Sequence, residues 1–282
     1  MKKLLILFLL LLPQILSAQL VGPYLRDSKN KKIIDTCRYS MLYKYKFYTD
    51  TTRRYPFFDK FVLEVGNKSS RYYSYLADQM DSVFVKSKGH GGISPHLKLG
   101  LKSNEKANYD DFYKDYPQKG LLTVCSGILQ REFIYTESIP QMDWNIIQEQ
   151  DTIILGYPCF KAELKFRGRK YYAWFTPQIP INEGPWKFQG LPGLILSVRE
   201  STGFFEWDII EIKKSSRPIY TYAHDGVLQQ KCSRKEYLKI QKLSWSDPIA
   251  LSTSFGQKWV VGNSPGKPGD IKYPPIPALE LE

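Results

Sequence analysis

The feature that most constrains this chain is a run of strict alternation. Phe160, Ala162, Leu164 and Phe166 alternate with Lys161, Glu163, Lys165 and Arg167. A period of two puts each set on its own face of a strand, so this segment is a half-buried antiparallel strand rather than a helix. Gly168 turns the chain, and residues 171–176 return as a second strand; so short a connection makes a hairpin. Upstream, Ile153-Ile154-Leu155 leads into a turn read at Gly156-Tyr157-Pro158. Downstream, residues 194–198 and 204–212 read as two further strands joined by Ser201-Thr202-Gly203, with Phe205, Trp207 and Ile209 on one face. Strands linked this way form an antiparallel meander, and large twisted sheets curl. The expected fold is mainly β with one or two short helices, the meander forming a curved sheet or an open barrel.

The rest of the chain fits that reading. Tyr43, Tyr45 and Phe47 alternate with Lys44, Lys46 and Tyr48, and residues 61–65 form another short strand. Residues 70–83 are ambiguous, with Tyr73, Leu76, Ala77 and Met80 at helical spacing. Residues 86–108 read as a loop broken by Gly89, Gly91, Gly92 and Pro95, and β character returns over 120–136. Ser233 and Glu236 form a capping box that starts a helix ending near Trp245, before Asp247-Pro248. Aromatic residues make up 15% of the chain, with 20 Tyr, a content that suits rings packed on pleated faces.

The first residues read as an export signal. Met1-Lys2-Lys3 is a short positive start, residues 4–12 are almost wholly aliphatic, Pro13 follows, and Ala18 offers a small residue for cleavage. The run is too short to cross a bilayer, and no later stretch is long enough either. No Cys follows the cut, which argues against a lipid anchor. The expected organisation is a signal peptide over 1–18, one β-rich domain over 19–261 and a Pro/Gly-rich tail over 262–282. The expected location is the periplasm or the outer membrane. A cytosolic enzyme, a polytopic membrane protein and a disordered chain are excluded on this reading. The formal charge of +12 favours anionic envelope surroundings, while nucleic acid is not expected as a partner of an exported chain without a basic helix or stacking module. Cys37, Cys125, Cys159 and Cys232 are disulfide candidates in an oxidising compartment; three pairings are open, and the sequence does not choose among them.

Residues 184–198 read Gly-Pro-Trp-Lys-Phe-Gln-Gly-Leu-Pro-Gly-Leu-Ile-Leu-Ser-Val. With Trp144, Ile154-Leu155-Gly156-Tyr157, Cys159, Phe166-Arg167-Gly168-Arg169, Tyr172-Ala173-Trp174 and Ile179-Pro180 upstream, this resembles the GLPGLI family of exported Bacteroidota proteins. Leu63-Glu64-Val65-Gly66 and the final Leu279-Glu280-Leu281-Glu282 also resemble that pattern. The resemblance implies export, a β-rich domain and an envelope role, and it supplies no catalytic residues. Physically, Pro185 and Pro192 fix φ while Gly184, Gly190 and Gly193 permit turns. Trp186 and Phe188 alternate with Lys187 and face the core on the plainer reading, a sheet-entry bend. The functional reading is a rigid loop at the mouth of a groove.

No nucleophile–base or metal-ligand spacing is present. His90 and His96 flank Gly91-Gly92 in a loop, where a metal pair is conceivable but solvated histidines are the plainer reading; His224-Asp225-Gly226 reads as a turn, and Asp110-Asp111 with Asp115 as a solvated acidic turn rather than a Ca²⁺ loop. No catalytic residue, metal or cofactor is expected, and the chain is not expected to be an enzyme. The expectation is a non-enzymatic binding or accessory protein that presents a curved aromatic sheet to a hydrophobic ligand, a peptide or an outer-membrane partner. Trp174, Trp186, Phe188, Leu191, Pro192 and Trp207 are the candidate binding residues. The alternative is an assembly factor that docks on an outer-membrane complex through its basic surface and the GLPGLI loop.

Overall fold

The alternation read along the chain folds into one dominant sheet. The structure, a computed structural model, describes residues 26–53, 55–86, 95–129, 131–224, 228–257, 260–261, 264–269 and 276–281. Its elements begin with β1 (Arg26–Thr36), β2 (Tyr39–Phe47), β3 (Phe57–Val65), β4 (Ser70–Ser74), α1 (Tyr75–Lys86), α2 (Pro95–Lys98) and β5 (Asp110–Lys114). There follow β6 (Leu121–Ile128), β7 (Arg131–Ser138), β8 (Asn145–Ile154), β9 (Tyr157–Phe166), β10 (Arg169–Thr176), β11 (Leu194–Glu200) and β12 (Phe205–Lys214). The last are β13 (Pro218–His224), β14 (Leu228–Lys231), α3 (Arg234–Ser246), α4 (Pro248–Ser254), β15 (Val260–Val261) and β16 (Ser264–Pro265).

Twelve strands form the main sheet in the order β14-β7-β6-β5-β4-β3-β2-β12-β11-β10-β9-β8. It is two meanders, β2 to β7 and β8 to β12, joined where β12 pairs antiparallel with β2. Only β14, beside β7, runs parallel to its neighbour. The sheet is curved and does not close into a barrel. β1 and β13 pair as a separate antiparallel ribbon.

The hairpins show why the strand registers are fixed. Arg167 and Gly168 have φ of 50° and 77°, and Leu155 and Gly156 have φ of 49° and 83°. Two consecutive positive φ values make the two-residue turns whose twist suits a hairpin. The first turn therefore lies at Leu155-Gly156, and Pro158 is already inside β9 opposite Ile153. Ambiguous residues 70–83 divide at Ser74. Tyr72 and Ser74 complete a buried strand, and the Ser74 hydroxyl then accepts from Ala77 N at 3.0 Å to start α1. The capping box at Ser233 and Glu236 forms as read and opens α3.

Alternate residues of the strands share one inner face. Met41, Tyr43 and Tyr45 on β2, Phe61 and Leu63 on β3, Leu164 and Phe166 on β9, and Trp207 on β12 are all buried there. Stacking continues across strands: Tyr45 lies 4.9 Å from Trp207, and Phe61 lies 4.6 Å from Tyr72, ring centre to ring centre. Such large rings dominate the burial that holds a sheet of this size together.

Candidate functional site

The connection between β10 and β11, residues 177–193, does not leave the body of the protein. It folds back onto the inner face. Trp186, Phe188 and Leu191 are 3%, 0% and 1% exposed. Phe188 meets Tyr171 edge-on at 4.9 Å and Trp207 at 5.6 Å, and Trp186 meets Phe166 at 5.8 Å. Four of the six candidate binding residues, Trp186, Phe188, Leu191 and Trp207, are therefore core, because they fill the hollow of their own sheet. Only Trp174 and Pro192 reach solvent.

Backbone geometry makes this connection rigid. Gly193 has φ of +148°, and a Cβ there would overlap the Thr176 carbonyl and lie 2.9 Å from Pro177 Cα. Trp186 holds a φ of 54° despite its side chain, a strained conformation maintained by the packing around it. Leu194 N donates to Ile179 O and Ile195 N to Glu183 O, both at 3.0 Å. Tyr43 OH, on β2, donates to Ile195 O of β11 at 2.7 Å, two strands along the same sheet.

Two buried lysines pin the connection down. Lys114 Nζ, on β5, donates to Glu183 Oε2 at 2.6 Å and to Phe188 O at 2.8 Å; Ser70 donates to the other Glu183 oxygen. Lys187, 1% exposed, donates to Tyr135 OH at 3.0 Å and to Glu137 Oε1 at 2.7 Å, and it pairs with Glu280 Oε1 at 2.5 Å. Arg234 of α3 donates to Glu280 Oε2 through Nε at 2.6 Å, and Arg167 reaches Glu137 Oε2 at 2.8 Å. Burial alone would raise the Glu280 carboxyl; the charges and hydrogen bonds of Lys187 and Arg234 outweigh it and hold the group below its usual range. Three cations thus surround two carboxylates drawn from β7, the β9–β10 turn, the motif segment, α3 and residues 276–281. The sequence gives little warning of this cluster, since its members are far apart in the chain.

A second buried polar row crosses the inner face beyond the aromatics. Ser74 donates to Asp59 Oδ1 at 3.0 Å, Ser126 donates to Asp110, and the Ser126 and Tyr237 hydroxyls lie 3.0 Å apart. Burial pushes Asp59 up to about 8 and Asp110 up to about 6. Asp110 and Asp111 are not a solvated turn. They lie on opposite faces of β5, and Asp111 is 2% exposed against Arg71 at 2.8 Å.

The outer face is different. Lys161 sits 5.1 Å from the Tyr172 ring and 5.3 Å from the Trp174 ring, and Lys170 sits 5.1 Å from Tyr172. Lys161 and Trp174 are cross-strand partners, as are Glu163 and Tyr172. This half-exposed patch of flat rings and cations lies on the solvent side of β9 and β10. On the motif side, Pro180, Asn182, Gly190, Leu191, Pro192 and Gly193 line an open depression of about 470 Å³.

No disulfide is present among the described residues. Cys125 lies opposite Ile134 on β7, and Cys232 N donates to Ile134 O from the far side of that strand. Two strand spacings, roughly 9–10 Å, separate them, beyond the reach of a bridge. Cys37 and Cys159 are buried, and burial raises the Cys37 thiol. His90 and the side chains of His96 and His224 lie outside the described residues. No group of metal-ligating side chains, and no helix long and apolar enough to cross a membrane, occurs among the described residues.

The fold and site define a class: an open, curved antiparallel sheet whose inner face is filled by its own chain. The family model "Protein of unknown function (Porph_ging)" matches residues 163–197, the stretch from β9 through the motif into β11. No curated protein matches the chain. Among solved structures, PNGF-II is similar at TM-score 0.45 and 12% identity, over 72% of this chain and 32% of that one. This chain thus spans about a third of the length of PNGF-II. An uncharacterized conserved protein from Thermus thermophilus is similar at TM-score 0.36 and 8% identity, over 70% of this chain and 91% of that one. The LolA superfamily protein NE2245 from Nitrosomonas europaea is similar at TM-score 0.26 and 8% identity, over 70% and 92%.

Proposed function

We propose that this chain is an exported, GLPGLI-type envelope protein that works by binding rather than catalysis, and that its working surface is the outer sheet face around Trp174. The supporting observation is the division between the two faces. The inner face, where an aromatic sheet would cradle a ligand, is occupied by Trp186, Phe188 and Leu191. The outer face offers Tyr172 and Trp174 among Lys161 and Lys170. Rings with one apolar side and adjacent cations suit a partner that is both flat and anionic. A second reading places docking at the motif loop, because exposed Pro192 stands on a backbone that Gly193 makes rigid.

Photo-crosslinking in the native host tests both readings. A crosslinking residue placed at position 174 is expected to give one discrete product, with position 213 as the exposed control. A product from position 192 alone would move the docking role to the motif loop. Monomer alone from both 174 and 192 would overturn the proposal.

A further inference from the structure

Residues 276–281 are held as a bound peptide is held. Arg169 Nε donates to Ala278 O at 2.7 Å, Tyr171 OH donates to Leu279 O at 3.1 Å, and Leu281 N donates to Arg167 O at 3.0 Å. Leu279 packs against the aromatic core. The Glu280 carboxylate lies between Lys187 and Arg234, with Arg167 Nε at 3.9 Å. The segment bridges the open side of the curved sheet. It touches the β9–β10 turn on one side and α3, which packs on β7 through Tyr237 and Tyr135, on the other.

The walls of this groove also hold one another, independently of their contacts to the segment. Lys187 is anchored to Tyr135 and Glu137, and Arg167 to Glu137. Take Glu280 away, and Lys187, Arg167 and Arg234 face the single carboxylate of Glu137. Such a site favours an anion, because three cations around one carboxylate leave an excess of positive charge. Its hydrogen-bonding groups meet main-chain atoms, so they accept any extended chain. Selectivity comes from an apolar side chain followed by an acidic one, as Leu279-Glu280 supplies.

The geometry points to a peptide-binding groove between the β9–β10 turn and α3, for which residues 276–281 are the resident ligand and an extended segment of a partner protein with an apolar–acidic pair is the exchanging one. This inference is independent of the outer-face reading, since it uses none of the same residues. Upstream of the segment, among the described residues, β15 and β16 pair with one another outside the main sheet, and Lys267, Pro268 and Gly269 are exposed, which leaves a site where the chain can be cut.

The test uses the full chain with a protease site introduced at 267–269 and cut after folding. Native mass spectrometry follows the released C-terminal fragment. A synthetic peptide of residues 276–282 is then added in excess. The fragment is expected to stay bound after cutting and to be exchanged by the peptide. A peptide carrying Glu280→Gln is expected to compete about tenfold more weakly, the loss of one charge-assisted contact. Equal competition by the two peptides, or a fragment that never exchanges, would overturn the inference. The uncut chain gives a check that needs no engineering. The Leu281 amide is expected to exchange hydrogen for deuterium well before the amides of β10; exchange only together with β10 would make the segment an integral strand and sink the idea.

Discussion

Replacing Lys187 by methionine removes a charge from the most buried point of the ion cluster. The ammonium makes three polar contacts, to Tyr135, Glu137 and Glu280. Methionine fills similar space but leaves Glu137 Oε1 and Glu280 Oε1 facing an apolar group. Removing one member of a buried pair typically costs about 3–5 kcal/mol. For a domain of this size each kcal/mol lowers Tm by roughly 2–4 °C, so the expected fall is about 6–20 °C. Urea unfolding followed by tryptophan fluorescence would measure it, since Trp186 and Trp207 are both core. Lys213→Met is the control. That side chain is 54% exposed beside Glu211, and its loss is expected to cost under about 0.5 kcal/mol. A double-mutant cycle sharpens the test. Glu280→Gln alone leaves three cations on one carboxylate, whereas in the Lys187→Met background it leaves two. The glutamine is therefore expected to cost less in the second background. A Lys187→Met loss under about 1 kcal/mol, or costs that simply add, would refute the claim that the cluster locks the interior.

Three further outcomes follow from the geometry. Gly193→Ala is expected to destabilise by about 3 kcal/mol or more, since both the +148° φ and the Thr176 carbonyl oppose a Cβ; a melting curve matching the parent would contradict this. Stability is expected to fall as pH rises from about 5 to 8.5. Asp59 and Asp110 bind protons in the folded state up to about 8 and about 6, so the folded form holds more protons than the unfolded form across that window; a Tm that climbs instead would refute it. Under native conditions a maleimide is expected to label Cys232 first, because Cys37, Cys125 and Cys159 are buried; rapid labelling of all four, or an intact mass showing a disulfide, would contradict the arrangement.

What could be read from the sequence was local. The alternation from Phe160 to Arg167, the turn at Gly168 and the Ser233–Glu236 box each depend on residues within a few positions, and each produced the element read from it, while the turn read at Gly156-Tyr157-Pro158 came one residue early, at Leu155-Gly156. The curvature followed from the length of the meander. The join of β12 to β2 did not, since nothing local encodes which strands become neighbours. The candidate site was legible only in part. Trp186 and Phe188 were correctly placed facing the core by their alternation with Lys187, yet the same aromatic excess also suggested an open groove. The groove is filled because the motif segment carries its own rings back into it. Lys187, between the two rings, is buried as well. Its partner Glu137 lies 50 residues away, so no spacing rule could announce a buried pair. Asp110 and Asp111 misled for the same reason, since Arg71 covers Asp111 from the neighbouring strand.

The central claim is that the inner face is filled by the protein's own chain; the binding proposed above therefore falls to the outer face and to the groove around residues 276–281. Native mass spectrometry of the protein purified from its host tests this most directly. The account predicts a mass without any lipid or small hydrophobic adduct, alone or with a polypeptide partner. A reproducible stoichiometric lipid on the folded protein would contradict it, because such a ligand has no room beside Trp186, Phe188 and Leu191.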